Sequence, residues 1–295
     1  MAKRVLLFLL TNFLVVLTVG IVLHVLGVRP WLDARGIDYR ALLAFCLVWG
    51  MAGAMVSLAL SRFMAIRAMG VQVIDPATSD PLGRQLLQKV ELLARSAELP
   101  MPQVGVFHSD AINAFATGPT RNRSIVAVSS GLLRKMDGDE ADGVLGHEIS
   151  HIANGDMVTM ALLQGVVNAF VMFLARAIGF AMMRRDSDEG FSFGAGSYLL
   201  IMALEMVFMV LGSIVVMAFS RYREFHADAG SARIAGRHKM IAALQRLQRD
   251  LEAMRAEPTP PSVRAMMISD KPGFARLFAS HPPLEERIAR LQSGA

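Results

Sequence analysis

The chain has 295 residues, of which 54% are hydrophobic and 19% charged, with a formal net charge of +5. The apolar residues gather in long blocks, which points to membrane spans and excludes an ordinary soluble fold. A basic balance also suits nucleic acid, but no patch of interleaved aromatic and basic residues supports that partner, whereas an anionic bilayer surface fits. The one cysteine, Cys46, excludes an intramolecular disulfide and a thiolate metal site, so any metal must be held by His and carboxylate. It also fits a main soluble domain in a reducing compartment.

Crossing the hydrocarbon core takes roughly 20 apolar residues as a helix, and four stretches meet that need: 5–28, 41–61, 157–183 and 198–219. The first follows Lys3 and Arg4. It is long for a signal peptide and lacks a small-residue cleavage site before Arg29, so it reads as a retained span. Between the second and third spans, residues 62–156 read as globular. Ser79-Asp80-Pro81 supplies a cap and an N-terminal proline for a helix over 82–98. Short β-prone runs follow near 103–107, 112–117 and 124–129, the last two separated by the Gly118-Pro119 turn. Asp137, Asp139, Glu140 and Asp142 then open a second helix at its positive dipole end.

The third and fourth spans flank a short glycine-rich loop at 184–197 and form a tight hairpin. Arg176 and Glu205 lie at matching depths in its two arms, where an unpaired charge is expensive, so the sequence predicts that they pair. Residues 220–255 read as a charged helix, 256–273 as a proline-rich loop and 283–292 as a short amphipathic helix. Four spans put both termini and the soluble segments on one side. Lys3, Arg4, Arg62, Arg67, Arg221 and Arg223 flank that side and Arg29, Arg35, Arg40, Arg184 and Arg185 the other, a balance that votes for the cytoplasm. Most of the twenty methionines sit in spans and flanking helices, as gap-filling thioethers do.

The chemistry is carried by His147-Glu148-Ile149-Ser150-His151. On a helix, positions i and i+4 share a face one turn apart, so both imidazoles can reach one Zn²⁺. Glu148 stands beside them as the base that takes a proton from a metal-activated water and passes it to the leaving amine. Zinc makes this workable near neutral pH by lowering the pKa of bound water toward ~7. The plain alternative is a charged, solvated helix face. The acid-capped start and the apolar helix that follows argue against it.

A catalytic zinc needs a third protein ligand. The residues after His151, with Gly155 and Met157, do not supply the metzincin continuation. The first acidic cluster beyond the apolar 157–219 region is Arg223-Glu224-Phe225-His226-Ala227-Asp228. Glu224 and Asp228 are i and i+4, so one can bind metal while the other orients a zinc histidine. His226 is the rival ligand, but its offset of two residues from Glu224 turns it elsewhere around the helix.

These motifs resemble those of the HtpX-type membrane metalloproteases, relatives of the CAAX prenyl proteases. The resemblance rests on Gly146–His151, on Ser220–Asp228, on Asn113-Ala114-Phe115-Ala116-Thr117-Gly118, on His281-Pro282, and on the order of spans and soluble segments, so it covers essentially the whole chain. It implies that Glu224 is the third zinc ligand, with Asp228 behind it. It also implies quality-control proteolysis of misfolded or damaged membrane proteins in the bacterial inner membrane. The expected fold is a mainly α membrane protein with about four transmembrane helices and a zincin-like α+β catalytic domain holding a small β-sheet. Its parts are the two N-terminal spans (1–61), the first catalytic part (62–156), the membrane hairpin (157–219) and the second catalytic part (220–295). Asn113, Ala114 and Phe115 are candidates to hold substrate backbone by strand addition. His281, Tyr222, Arg223 and Arg287 are candidates to meet negative charge on the scissile carbonyl, His281 being placed there by the rigid Pro282-Pro283 that follows. Expected partners are polypeptides, chiefly membrane proteins, and the lipid bilayer. Two other functions share the zinc motifs: a prenyl-protein protease, which typically has more spans, and a non-catalytic adaptor with structural zinc.

Overall fold

The computed structural model describes residues 38–183, 195–256 and 273–294. The expected first span at 5–28, the 184–194 part of the hairpin loop and the 257–272 part of the proline-rich stretch lie outside the described residues. In chain order the elements are α1 (Tyr39–Ala68), β1 (Gln72–Val73), α2 (Pro81–Ser96), β2 (Gln103–Phe107), β3 (Ala114–Thr117), a 3-10 turn (Arg121–Arg123), β4 (Ile125–Ser129), α3 (Ser130–Lys135), α4 (Gly138–Asn154), α5 (Asp156–Met183), α6 (Ala195–Ser231), a π-helical turn (Ala232–Gly236), α7 (Arg237–Ala256), a second 3-10 turn (Gly273–Phe278) and α8 (Leu284–Ser293). They form two compact units, Met1–Val56 with Met160–Val216, and Ser57–Thr159 with Met217–Ala295.

The first unit is built from apolar helices. Three described helices, α1, α5 and the one beginning at Tyr198 within α6, are long and apolar enough to cross a membrane. They cover the spans expected at 41–61, 157–183 and 198–219. Close packing of α1 on α5 needs a residue without a side chain at Gly50, where a Cβ would lie 2.6 Å from the backbone nitrogen of Ala169. Cys46, Phe173 and Ala177 are fully buried beside them. Outward-facing Trp49, Val56, Val207 and Leu211 are more than half exposed, an apolar face suited to lipid. Arg176 and Glu205 form the ion pair read from their depths, and Arg176 also donates to the Met172 carbonyl at 3.2 Å.

The second unit is a four-stranded mixed sheet in the order β1-β2-β4-β3, with β2 parallel to β4 and the other two pairings antiparallel. Three strands are those expected. The fourth, β1, is only two residues long, too short to show an alternating pattern. One sheet face and helices α2 and α4 bury Leu86, Val90, Leu93, Val104, Val126, Val128, Leu145, Ile149 and Ile152 together. The other face packs Val71, Phe107, Ile125 and Ala127 with Phe115.

Local sequence explains where the helices begin. Asp80 caps α2 by accepting from the Gly83 amide at 2.8 Å, with Pro81 at the first turn. Asp137 and Glu140 form a reciprocal capping box at the start of α4. The charged stretch expected to be helical at 220–255 is helical, beginning as a continuation of α6, which runs unbroken from the apolar stretch to Ser231 before the π-helical turn and α7.

Candidate metal centre

The site is assembled where α6 meets α4. Small residues permit the approach: a Cβ at Gly146 would lie 2.7 Å from Ser231 Oγ at the end of α6, and one at Gly143 would lie 2.4 Å from the Lys239 carbonyl oxygen of α7, which packs on α4 beside it. Ser231 in turn donates to the Gly143 carbonyl at 2.8 Å. Beneath the histidines, Ile149 is fully buried on the sheet. Its truncation to Ala would cost about 2–5 kcal/mol and loosen the floor of the site.

His147, His151 and Glu224 are all buried and form a group whose candidate ligand atoms all lie within 4.8 Å of one another. The two Nε2 atoms are 3.1 Å apart; Glu224 Oε2 is 3.4 Å from His147 Nε2, and its Oε1 is 3.3 Å from His151 Nε2. Tetrahedral ligands at 2.0–2.2 Å from zinc are separated by about 3.3–3.6 Å, so the donors stand close to a metal-binding arrangement. The other imidazole nitrogens point the same way chemically. His147 Nδ1 lies 2.9 Å from Asp228 Oδ1, and His151 Nδ1 lies 2.6 Å from Asp156 Oδ2. Each carboxylate accepts the Nδ1–H, which leaves both Nε2 lone pairs facing each other. Two lone pairs at that distance repel unless a cation or a proton sits between them.

Charge balance gives the same answer. Four carboxylates (Glu148, Asp156, Glu224 and Asp228) surround two imidazoles and one buried guanidinium, Arg287, which bonds Asp228 through Nε at 2.8 Å and Nη2 at 2.6 Å. Burial opposes protonation of His151, but the Asp156 and Glu224 carboxylates outweigh it and raise the imidazole to about 9. His147 is raised in the same way, burial being overcome by Asp228 and Glu224. Burial also works against ionisation of Glu224 and Asp228, yet their hydrogen bonds to the histidines and to Arg287 hold both well below the usual carboxylate range. Donor set, spacing and charge therefore fit a divalent cation.

A cleft of about 140 Å³ opens on this group and is lined by Asn113, Ala114, His147, Glu148, Glu224, His281 and Arg287 together with apolar side chains of α3, α4 and α7. His281 Nδ1 is 2.7 Å from Glu224 Oε2, while its side chain remains 64% exposed. Strand β3 is an edge strand among the described residues. The Ser129 amide donates to the Asn113 carbonyl at 2.9 Å. By antiparallel alternation, Phe115 also spends its backbone groups on β4, and Ala114 turns its own toward the free edge. The side chain of Phe115 packs on Phe107, with ring centroids 5.6 Å apart, so of the three strand residues only Asn113 and Ala114 line the cleft.

Other sequence candidates lie elsewhere. His226 directs Nδ1 to the Tyr222 carbonyl at 3.0 Å and packs on the exposed Tyr222 ring, away from the cluster. Arg287 does line the cleft, with Nη1 3.6 Å from Glu224 Oε2, but its two hydrogen bonds to a carboxylate go to Asp228. Asp156 was missed altogether. It follows Gly155, whose left-handed backbone (φ 68°) ends α4 and starts α5. That reversal folds Asp156 back onto His151, and a bare acid five residues after a histidine carries no such signal.

The sequence matches the model of Peptidase family M48 over residues 82–295. The chain belongs to that family. It is 49% identical over 298 residues to a Protease HtpX homolog of Nitrosomonas europaea, covering 99% of this chain and 100% of that one. It is 50% identical over 291 residues to Protease HtpX of Pasteurella multocida, covering 98% and 97%. A crystal structure of Ste24p from S. mikatae shares the fold with a TM-score of 0.62 at 18% identity; the match covers 96% of this chain and 66% of that longer one. Family M48 membership and the apolar helices make this a bacterial membrane metalloprotease of the HtpX type, acting on polypeptides. Neither alternative raised from the sequence, prenyl-protein protease or non-catalytic adaptor, is favoured by these relatives.

Proposed function

We propose that the chain is a zinc-dependent endopeptidase of the bacterial inner membrane, with its catalytic unit toward the cytoplasm, that cleaves misfolded or damaged membrane proteins. The observation that carries the reading is the convergence of His147, His151 and Glu224, each buried, beside a carboxylate lining an open cleft. Arg62 and Arg67 near the end of α1, with Arg221 and Arg223 after the apolar part of α6, support the cytoplasmic orientation. The resemblance to HtpX-type proteases supports the quality-control role.

His147 Nε2, His151 Nε2 and Glu224 would hold the zinc, which when bound would supply Lewis acidity toward the scissile carbonyl and water. Glu148 takes the proton of the attacking water on its carboxylate and returns it to the leaving nitrogen. Asp228 and Asp156 fix the two imidazole tautomers through Nδ1, and Arg287 holds Asp228 in place. His281, exposed at the cleft, is the group available to meet charge developing on the carbonyl oxygen. The outward backbone of Ala114 and the side chain of Asn113 hold the substrate main chain as an added strand.

The test is casein cleavage by detergent-purified wild type and Glu148→Ala, each with and without chelator. Zinc content should be equal in the two, while the variant loses about 10²–10⁴-fold in rate and chelation silences the wild type. Full cleavage by Glu148→Ala would sink the proposed mechanism.

A further inference from the structure

We propose that Arg221 is a positioning residue that sets His281 at the mouth of the cleft. The inference rests on the reading of His281 given above and names what holds that side chain in place.

His281 is poorly anchored on its own account. Its side chain is 64% exposed and, among the described residues, makes one hydrogen bond, to Glu224 Oε2. On its C-terminal side the chain is fixed, because Pro282 and Pro283 lead into α8, whose Ile288 and Leu291 pack against Met240 and Leu244. On its N-terminal side lies the 3-10 turn Gly273–Phe278, closed by the Ala279 amide donating to the Arg276 carbonyl at 3.2 Å; the carbonyl oxygens at its end, that of Arg276 included, also reach Arg221. Arg221 Nη1 takes up these oxygens: it donates to Ala279 O at 2.7 Å, to Leu277 O at 3.1 Å and to Arg276 O at 3.3 Å. Among the described residues the partners of Arg221 are these main-chain oxygens rather than carboxylates.

The placement in sequence gives the clamp its meaning. Arg221 and Glu224 lie three residues apart on the unbroken helix α6, so they share one face at a fixed separation. One rigid element therefore carries both the carboxylate that receives His281 and the guanidinium that holds the carbonyls of Arg276, Leu277 and Ala279 before it. A helical rise of about 4.5 Å over three residues thus becomes the ruler for the imidazole. All three oxygens are reached by the one nitrogen Nη1, so a lysine ammonium, also a cluster of N–H donors on a single nitrogen but on a shorter side chain, can replace part of the clamp.

The experiment uses the detergent-purified full chain as wild type, Arg221→Ala, Arg221→Lys, His281→Ala and the double variant Arg221→Ala/His281→Ala. Zinc content, kcat and KM on a quenched fluorescent peptide, and amide hydrogen exchange over 276–281 are read for each. Arg221→Ala should keep its zinc and its KM within about twofold and lose roughly tenfold in kcat. Exchange across 276–281 should quicken, and Arg221→Lys should recover part of both losses. In the His281→Ala background the arginine change should cost less than about twofold more, because its effect runs through the imidazole. Unchanged exchange in Arg221→Ala overturns the inference, as do losses that multiply in the double variant. If His281→Ala cleaves as wild type, the role given to His281 fails instead, and the exchange result still reports whether Arg221 holds the segment.

Discussion

The molecule handles buried charge in two different ways. In the apolar helices one acid and one base, Glu205 and Arg176, neutralise each other at side-chain exposures of 30% and 25%. At the metal centre four carboxylates share one guanidinium, and Glu224 is 1% exposed. The first arrangement is electrically complete and could be exchanged for apolar packing at little cost. The second is deficient in positive charge by design of its donors, so it is held together only when a cation or protons join it. A paired charge in a span is a clasp; an unbalanced cage around two imidazoles is an arrangement that a cation would complete.

The largest expected effect comes from removing the cage's central acid. Glu224→Ala should lose zinc on dialysis and reduce proteolysis by at least about a thousandfold, read by metal analysis and casein cleavage. A variant that kept stoichiometric zinc would break the comparison at its core. Next in size is Asp156→Ala, which frees His151 to turn. Zinc affinity should fall about 10–100-fold, and less in Asp156→Asn, which can still accept from Nδ1–H; competition with a chelator measures this without recourse to activity.

The pH dependence of zinc affinity sharpens the same point. His151 is raised to about 9 and His147 is raised above its ordinary value, so both hold a proton more tightly than a free imidazole, and below about pH 9 the metal must displace the one on His151. Affinity should therefore rise with pH, about tenfold per proton released per pH unit between roughly pH 6 and 8, and level off as pH passes about 9. Titration calorimetry in buffers of different ionisation enthalpy would count the protons. The smallest effect belongs to the clasp. The double variant Arg176→Met/Glu205→Leu should accumulate in the membrane and cleave within about twofold of wild type, whereas Arg176→Ala alone should accumulate less, since it strands a carboxylate in apolar surroundings.

Much of this was legible in advance. The i, i+4 histidines, the capping box of α4, the strands and the Arg176–Glu205 pair are all set by spacing along one element or by depth in two neighbouring ones. Glu224 and Asp228 both reach the imidazoles, Glu224 facing the two Nε2 atoms and Asp228 the Nδ1 of His147. Phe115 was grouped with Asn113 and Ala114 because sequence adjacency does not say which face of a strand, or which edge, a residue serves; strand alternation sends it to the far side.

The sequence by itself determined the elements and the chemistry they could carry: a helix presenting two imidazoles and an acid, a later helix presenting two more carboxylates, and apolar stretches long enough for a bilayer. Only the tertiary structure decided which groups from distant segments complete the cage. Asp156 returns to His151 through a left-handed glycine, Arg287 reaches Asp228 across 59 residues of chain, and Arg221 clamps the segment that bears His281. Periodicity reports which face of one element is apolar. It is silent on long-range polar partners, because those depend on how closely two backbones approach and on a single bend between them.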